Sequence, residues 1–177
     1  SYQGTGGPDG ADRLFAGAAE SIRQHAADAT PVVASCLDLG LAAQSRPSRS
    51  VLGVDRNSYA IVHTPSADLT DRDGDVLHVM QYEPSGDDGL AELEDIADEA
   101  LPDWRSRELA RQFGKRRTVA FDRPRPGVGL PGRQPVTVAD LPGAFVAGDW
   151  VGAEDMLGSA SIASGRRAGL AAAVYVS

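Results

Sequence analysis

The chain has 177 residues, 42% of them hydrophobic, which is enough for a packed core and argues against wholesale disorder. Its 17 basic and 25 acidic residues leave a net charge of −8, arguing against nucleic acid and anionic membranes as partners. A single cysteine, Cys36, excludes an intrachain disulfide and a cysteine-rich metal site. No apolar run reaches the roughly 20 residues that span a bilayer, and the first residues lack the basic-then-apolar pattern of a signal peptide. The expectation is a soluble, cytoplasmic protein with no transmembrane segment.

In chain order, Gly4-Thr5-Gly6-Gly7-Pro8-Asp9-Gly10 comes first. No apolar strand precedes it and Pro8 interrupts it, so it fails the context test for a dinucleotide-binding loop; residues 1–10 read as a flexible leader. Asp9 to Asp28 reads as one helix, with Leu14, Ala18 and Ile22 on one face and Phe15 beside them. Asp9 or Asp12 can cap it, and Thr30-Pro31 ends it. Pro31 to Leu41 alternates as a strand. Cys36 reads as a small hydrophobe of that strand, because no cation lies near it in sequence to lower its pKa.

Ser45 to Ser50 is a polar loop, Val51 to Gly53 a brief strand, and Tyr59 to Thr64 and Val76 to Glu83 are clearer strands. Between these two, Asp71-Arg72-Asp73-Gly74-Asp75 has its glycine one residue too early for a calcium loop, so a turn driven by Asp-Gly is expected. His63 and His78, from consecutive strands, can share a face as an acid/base or metal pair. Spacing places no third ligand, so no metal site is expected, and ordinary half-buried histidines are favoured. Tyr59, Met80 and Tyr82 fit either the core or the wall of an apolar pocket, and the core reading is favoured.

Asp87 to Leu101 has the pattern of an acidic amphipathic helix with Leu90, Leu93, Ala97 and Leu101 inward. Pro102 stops it. Asp103 is expected to cap a second helix running through Phe113, with Gly114 as C-cap. Trp104 and Phe113 should be packed, Lys115-Arg116-Arg117 solvated, and Thr118 to Phe121 a strand. Arg123 to Pro135 is a Pro-, Gly- and Arg-rich loop, in which Arg125 and Arg133 read as surface arginines, contact with a bound cofactor or substrate being the alternative. There is no internal repeat.

The most informative run follows. Leu141-Pro142-Gly143-Ala144-Phe145-Val146-Ala147-Gly148-Asp149-Trp150-Val151-Gly152 predicts a short buried strand over Ala144 to Ala147 and a turn at Gly148-Asp149. A loop carries Glu154 and Asp155. Met156-Leu157-Gly158-Ser159 then opens a helix of small residues that includes Ser164-Gly165 and Ala168 and runs to about Ala173. Such a helix start offers bare N–H groups and the positive end of a dipole to an anionic or electron-rich atom.

This run resembles the C-terminal flavin-binding motif of FAD-dependent oxidoreductases of the phytoene desaturase and flavin amine oxidase type. The resemblance implies that Asp149, after Gly148, contacts the ribityl or pyrophosphate part of FAD. It implies that Met156, Leu157, Gly158 and Ser159 face the pyrimidine side of the isoalloxazine, with Trp150 and its neighbours lining the ring. Ser164-Gly165 and Ala168 would pack on the dinucleotide domain. Val33-Ala34-Ser35-Cys36-Leu37-Asp38-Leu39-Gly40-Leu41 resembles the start of the substrate-domain sheet in the same group.

The fold expected is α/β (α+β): a mostly antiparallel substrate-domain sheet with flanking helices, plus a strand-helix element of an FAD-binding domain. Its expected parts are the leader 1–10, a substrate-domain-like region 11–135 and a C-terminal FAD-binding segment 136–177. The implied activity is hydride transfer from a substrate carbon to flavin, acting on a small apolar or polycyclic substrate; catalytic residues are not assigned. Without a Gly-x-Gly-x-x-Gly strand-turn-helix, full FAD binding is expected to need an N-terminal FAD domain or a partner chain. The helix Gly158 to Ala173 would then be an edge through which the chain alone oligomerises. The alternative is a non-catalytic binding or scaffold module that kept the flavoprotein fold.

Overall fold

The computed structural model describes residues 6–14, 19–43, 50–64, 69, 74–84 and 89–177. The chain divides into two compact units, one formed by residues 33–118 and the other by residues 1–32 together with 119–177.

In the first unit, alternation does what it should. Among the described residues, β1 (Val32–Ala42), β2 (Ser50–Gly53), β3 (Ser58–Val62), β4 (Gly74–Tyr82) and β5 (Glu108–Ala120) form one sheet in the order β2-β3-β4-β1-β5. The pairs β1–β4, β2–β3 and β3–β4 are antiparallel. Every second residue points to one face: Leu37, Leu39 and Leu41 of β1, Ala60 and Val62 of β3, Leu77 and Val79 of β4. That face is closed by α3 (Leu90–Ala100), whose Leu93, Ile96, Ala97 and Ala100 are buried against it. The fold is thus α+β, with an antiparallel sheet and flanking helices.

The expected second helix does not form beyond its first turn. α4 is only Trp104–Arg107, and the chain then runs extended through β5, so Asp103 to Phe113 is not a helix and Gly114 is not its C-cap. Pairing at the edge of the sheet outweighs the local helical preference of this segment. Gly114 has a different use: a Cβ there would lie 2.6 Å from Cys36 Sγ, so the glycine lets β5 pass close to β1. Arg116 takes φ 41°, and its N–H donates to the fully buried Ser35 hydroxyl at 3.1 Å. Trp104 remains packed, as expected. It is wholly buried, its Nε1 donates to Asp98 Oδ1 at 2.8 Å, and the Arg105 guanidinium lies 4.3 Å from its ring centre.

The second unit begins with α1 (Pro8–Leu14) and α2 (Glu20–Asp28), so Asp9 and Asp28 belong to two helices. Gly7 and Pro8 are buried, and a Cβ on Gly7 would fall 2.3 Å from the Phe121 ring, so this end of the expected leader is packed. Asp140 holds the start of α2, accepting from Ser21 N at 2.9 Å and from its hydroxyl at 2.5 Å. These bonds lower the Asp140 pKa. Ala19, Ile22, Val138, Val146, Trp150 and Val151 form the core. The strand expected over Ala144 to Ala147 reduces to one bridge, Thr137 to Phe145, with Val146 N–H bonded to Val136 O at 2.9 Å. Pro135, Pro142 and Gly143 leave too little uninterrupted chain for a ladder. α5 (Leu157–Tyr175) closes the unit, matching the expected helix. Among the described residues, no helix is long and apolar enough to cross a membrane.

The expected features at Phe15 and Ala18, the loop Ser45 to Arg49, the turn residues Asp71 to Asp73 and the helix start at Asp87 lie outside the described residues, as do the side chains of Asp12 and Leu14.

Trp104→Ala removes the largest fully buried side chain of the first unit and should cost about 3–5 kcal/mol of stability. Urea denaturation followed by circular dichroism measures this; a loss below about 1 kcal/mol would show that the site collapses around the gap.

Candidate functional site

The residues singled out by sequence gather on the connection into α5, within the second unit. Gly148 is locked by one buried hydroxyl. Its N–H donates to Ser164 Oγ at 3.0 Å, while Ser164 Oγ lies 2.7 Å from Ala160 O and 3.1 Å from Gly148 O as acceptors for its single proton. A Cβ at 148 would sit 2.6 Å from Trp150 Nε1, so this position needs glycine. Asp149 is half-buried, and its Oδ2 accepts the Phe121 N–H at 2.9 Å. The turn is therefore tied both to α5 and to the segment after β5.

Beyond it the chain climbs through positive φ at Gly152 (83°), Asp155 (58°) and Leu157 (53°), then enters α5 with Met156 as N-cap. No side chain caps this helix. Met156, Leu157, Gly158 and Ser159 are all exposed, and a Cβ on Gly158 would meet nothing within 4 Å. The first-turn N–H groups thus open outward.

Beside them lies a residue that sequence read as a surface arginine. Arg133 is only 7% exposed, and its Nη1 donates to Asp155 O at 3.0 Å. Its buried Nε has no hydrogen-bond partner, and among the described residues no carboxylate pairs with it. A permanent charge with an unused donor stands next to an uncapped helix start. The Pro-Gly-Arg-Gln-Pro context gave no periodic signal of this burial. Arg125, by contrast, is exposed.

Trp150 faces the core. It is 3% exposed, and its ring is tilted 33° to that of His25 at 5.5 Å. It supports the turn from behind. His25 is itself buried, with Nε2 3.3 Å from Asp122 Oδ2 but outside hydrogen-bond geometry. Asp122 Oδ1 accepts the Thr30 N–H instead, at 3.0 Å. Burial lowers the His25 pKa, against the opposing pull of Asp122.

The first unit holds a second group, on the sheet face opposite α3. His78 Nδ1 bonds to Asp38 Oδ1 across the β1–β4 pair. His63 and Tyr59 flank His78 with ring centres at 6.0 and 5.6 Å, and Tyr59 Oη reaches Met80 Sδ at 3.6 Å. The two histidines do share a face, and Asp38, which sequence did not single out, is the partner. Burial raises the Tyr59 and Cys36 pKa values, with smaller contributions from Tyr82 and Asp38 respectively. Cys36 is therefore a poor nucleophile. Among the described residues, no three His, Cys, Asp or Glu side chains are arranged to hold a metal ion.

No family model, curated protein or solved structure matches the chain.

The depressed His25 pKa has a measurable sign. The unfolded chain takes up a proton below the ordinary histidine value of 6.5 while folded His25 resists it, so stability should fall as pH drops through that value. Urea midpoints measured on either side of it should decline on acidification in the parent chain and decline less in His25→Gln. Equal slopes in the two would assign the pH dependence elsewhere.

Proposed function

We propose that this chain is the substrate domain and C-terminal cofactor segment of an FAD-dependent oxidoreductase of the phytoene desaturase type, acting in the cytoplasm. The observation that carries the reading is the pairing of an uncapped, exposed α5 start with the buried, partly unpartnered Arg133. Both features suit an electron-rich, anionic group, and Gly158 leaves room for its close approach. FAD, when bound, accepts a hydride from a substrate carbon.

The chain's own residues then have definable tasks. The N–H groups of the Met156 to Ser159 turn, backed by the Arg133 charge, stabilise negative charge on the group they hold. Asp149 and Ser164 keep the turn and helix in fixed register, so that this stabilisation is preorganised. Trp150 acts through packing. The substrate would be small and apolar or polycyclic.

Completion by further polypeptide carrying Gly-x-Gly-x-x-Gly is part of the proposal. Its support is the outer side of α5, where Ile162, Leu170 and Val174 are 77%, 60% and 76% exposed and a Cβ on Gly165 or Gly169 would meet nothing.

Titration of FAD, followed by flavin fluorescence, should give weak saturable binding to the chain, strengthened when the complementing polypeptide is supplied. Arg133→Met and Asp149→Ala should each weaken it by about tenfold, the worth of one hydrogen bond to a charged group. Gly158→Val should weaken it by obstruction. Affinity indifferent to all three substitutions, or no saturable binding even with the complementing polypeptide, would overturn the reading.

A further inference from the structure

The sheet of the first unit ends in two unlike edges. One is β2, four residues long; the other is β5, which runs for 13 residues. Among the described residues, no strand pairs with the outer side of β5. An extended edge turns alternate N–H and C=O groups outward, where another strand can pair with them. β5 is also bare on both faces near its start. Leu109, Ala110, Arg111 and Gln112 are exposed in succession, Leu109 by 74%, so the alternation that seals β1, β3 and β4 is missing here.

Charge says what kind of strand this edge suits. β5 carries Arg111, Lys115, Arg116 and Arg117 against the single carboxylate of Glu108, in a chain whose net charge is −8. Two of these cations are spent within the unit. Arg111 pairs with Glu94 and Glu108, and Arg116 Nη1 donates to Pro84 O at 2.8 Å. Lys115 and Arg117 are exposed, and among the described residues neither pairs with a carboxylate. The two stand on opposite faces. A Cβ on Gly114 would lie 3.5 Å from Arg117 Cγ, which puts Arg117 on the Gly114 side, and the pleat turns Lys115 to the other. The left-handed φ of Arg116, 41°, makes the bulge that separates them. A strand laid along this edge is therefore met by positive charge from both faces. A second copy of β5 fits poorly, because it would set one net-positive strand against another.

We propose that the β5 edge is a docking site for an extended acidic peptide segment, which adds a strand to the sheet and sets its carboxylates against Lys115 and Arg117. Main-chain hydrogen bonds supply the affinity and the two cations the selection. The surface lies within residues 108–118 and does not depend on the flavin reading.

Fluorescence anisotropy of a fluorescein-labelled Glu-Glu-Val-Val repeat peptide, titrated with the full chain, tests it. The expected result is saturable binding that a Lys-Lys-Val-Val repeat does not show. N-methylation of every peptide bond in the acidic probe removes its main-chain donors, keeps its charge, and should weaken binding by about tenfold. Lys115→Glu and Arg117→Glu, both at exposed positions, should each weaken it severalfold, with the fold checked by circular dichroism. Arg166→Glu, the same reversal on the exposed side of α5, should leave it unchanged. If either β5 variant unfolds, the N-methylated peptide decides. Binding that is non-saturable, indifferent to N-methylation, or weakened as much by Arg166→Glu as by Lys115→Glu would reduce the interaction to counterion attraction and overturn the proposal. A dimer in sedimentation that Lys115→Glu disperses would give the edge to a second copy instead. Cosedimentation with phosphatidylserine vesicles, in place of peptide binding, would give it to a membrane surface, and either result would also overturn the proposal.

Discussion

One buried hydroxyl sets the geometry of the C-terminal segment. Ser164 lies on the inner side of α5, 2% exposed, and answers the N–H of Gly148, 16 residues earlier in the chain. Because that N–H would otherwise be buried without an acceptor, turn and helix cannot slide past each other without a penalty. Everything upstream follows from this fixed point. Gly148 must stay glycine because Trp150 fills the space beside it, and Asp149 then falls where it can accept from Phe121. The helix start is left facing outward with its N–H groups unspent.

The sheet of the first unit shows a division of labour between its faces. One face is apolar, sealed by α3 and Trp104, and supplies stability. The other carries Asp38, His78, His63, Tyr59 and Met80, polar and aromatic groups in mutual contact. Strict period-two alternation makes this separation possible, since a shift of one residue in register would exchange the two sets. Long-range ionic contacts hold the register at the ends of the strands. Arg107 reaches Ala42 O at 2.9 Å through Nε and also pairs with Asp75, so the last turn before β5 grips the ends of β1 and β4 together.

Much of this was legible from the residues. The alternation of Val32 to Ala42 and of Gly74 to Tyr82 named two strands, and the small-residue run after Met156 named a long helix. What failed did so for non-local reasons. Glu108 to Phe113 has respectable helical character, and only a neighbouring strand, roughly 70 residues earlier in sequence, makes it extended. Arg133 sits among prolines and glycines, where no periodicity distinguishes a buried arginine from a solvated one. Trp150 follows the Gly-Asp pair so closely that a role beside the cofactor was the natural expectation. Its burial against His25 depends on α2, more than a hundred residues away.

The way the chain is shared between its two units carries a consequence for biosynthesis. Residues 33–118 form a continuous stretch, so their core, from Leu37 to Trp104, is fully available once that stretch has left the ribosome. The other core draws Ala19 and Ile22 from one end and Val138, Val146, Trp150 and Val151 from the far side of the insertion. α2 is therefore made early and must wait, its apolar side unsatisfied, until the final third of the sequence appears. During synthesis the inserted unit has its whole core available first, and the unit bearing α5 is completed last.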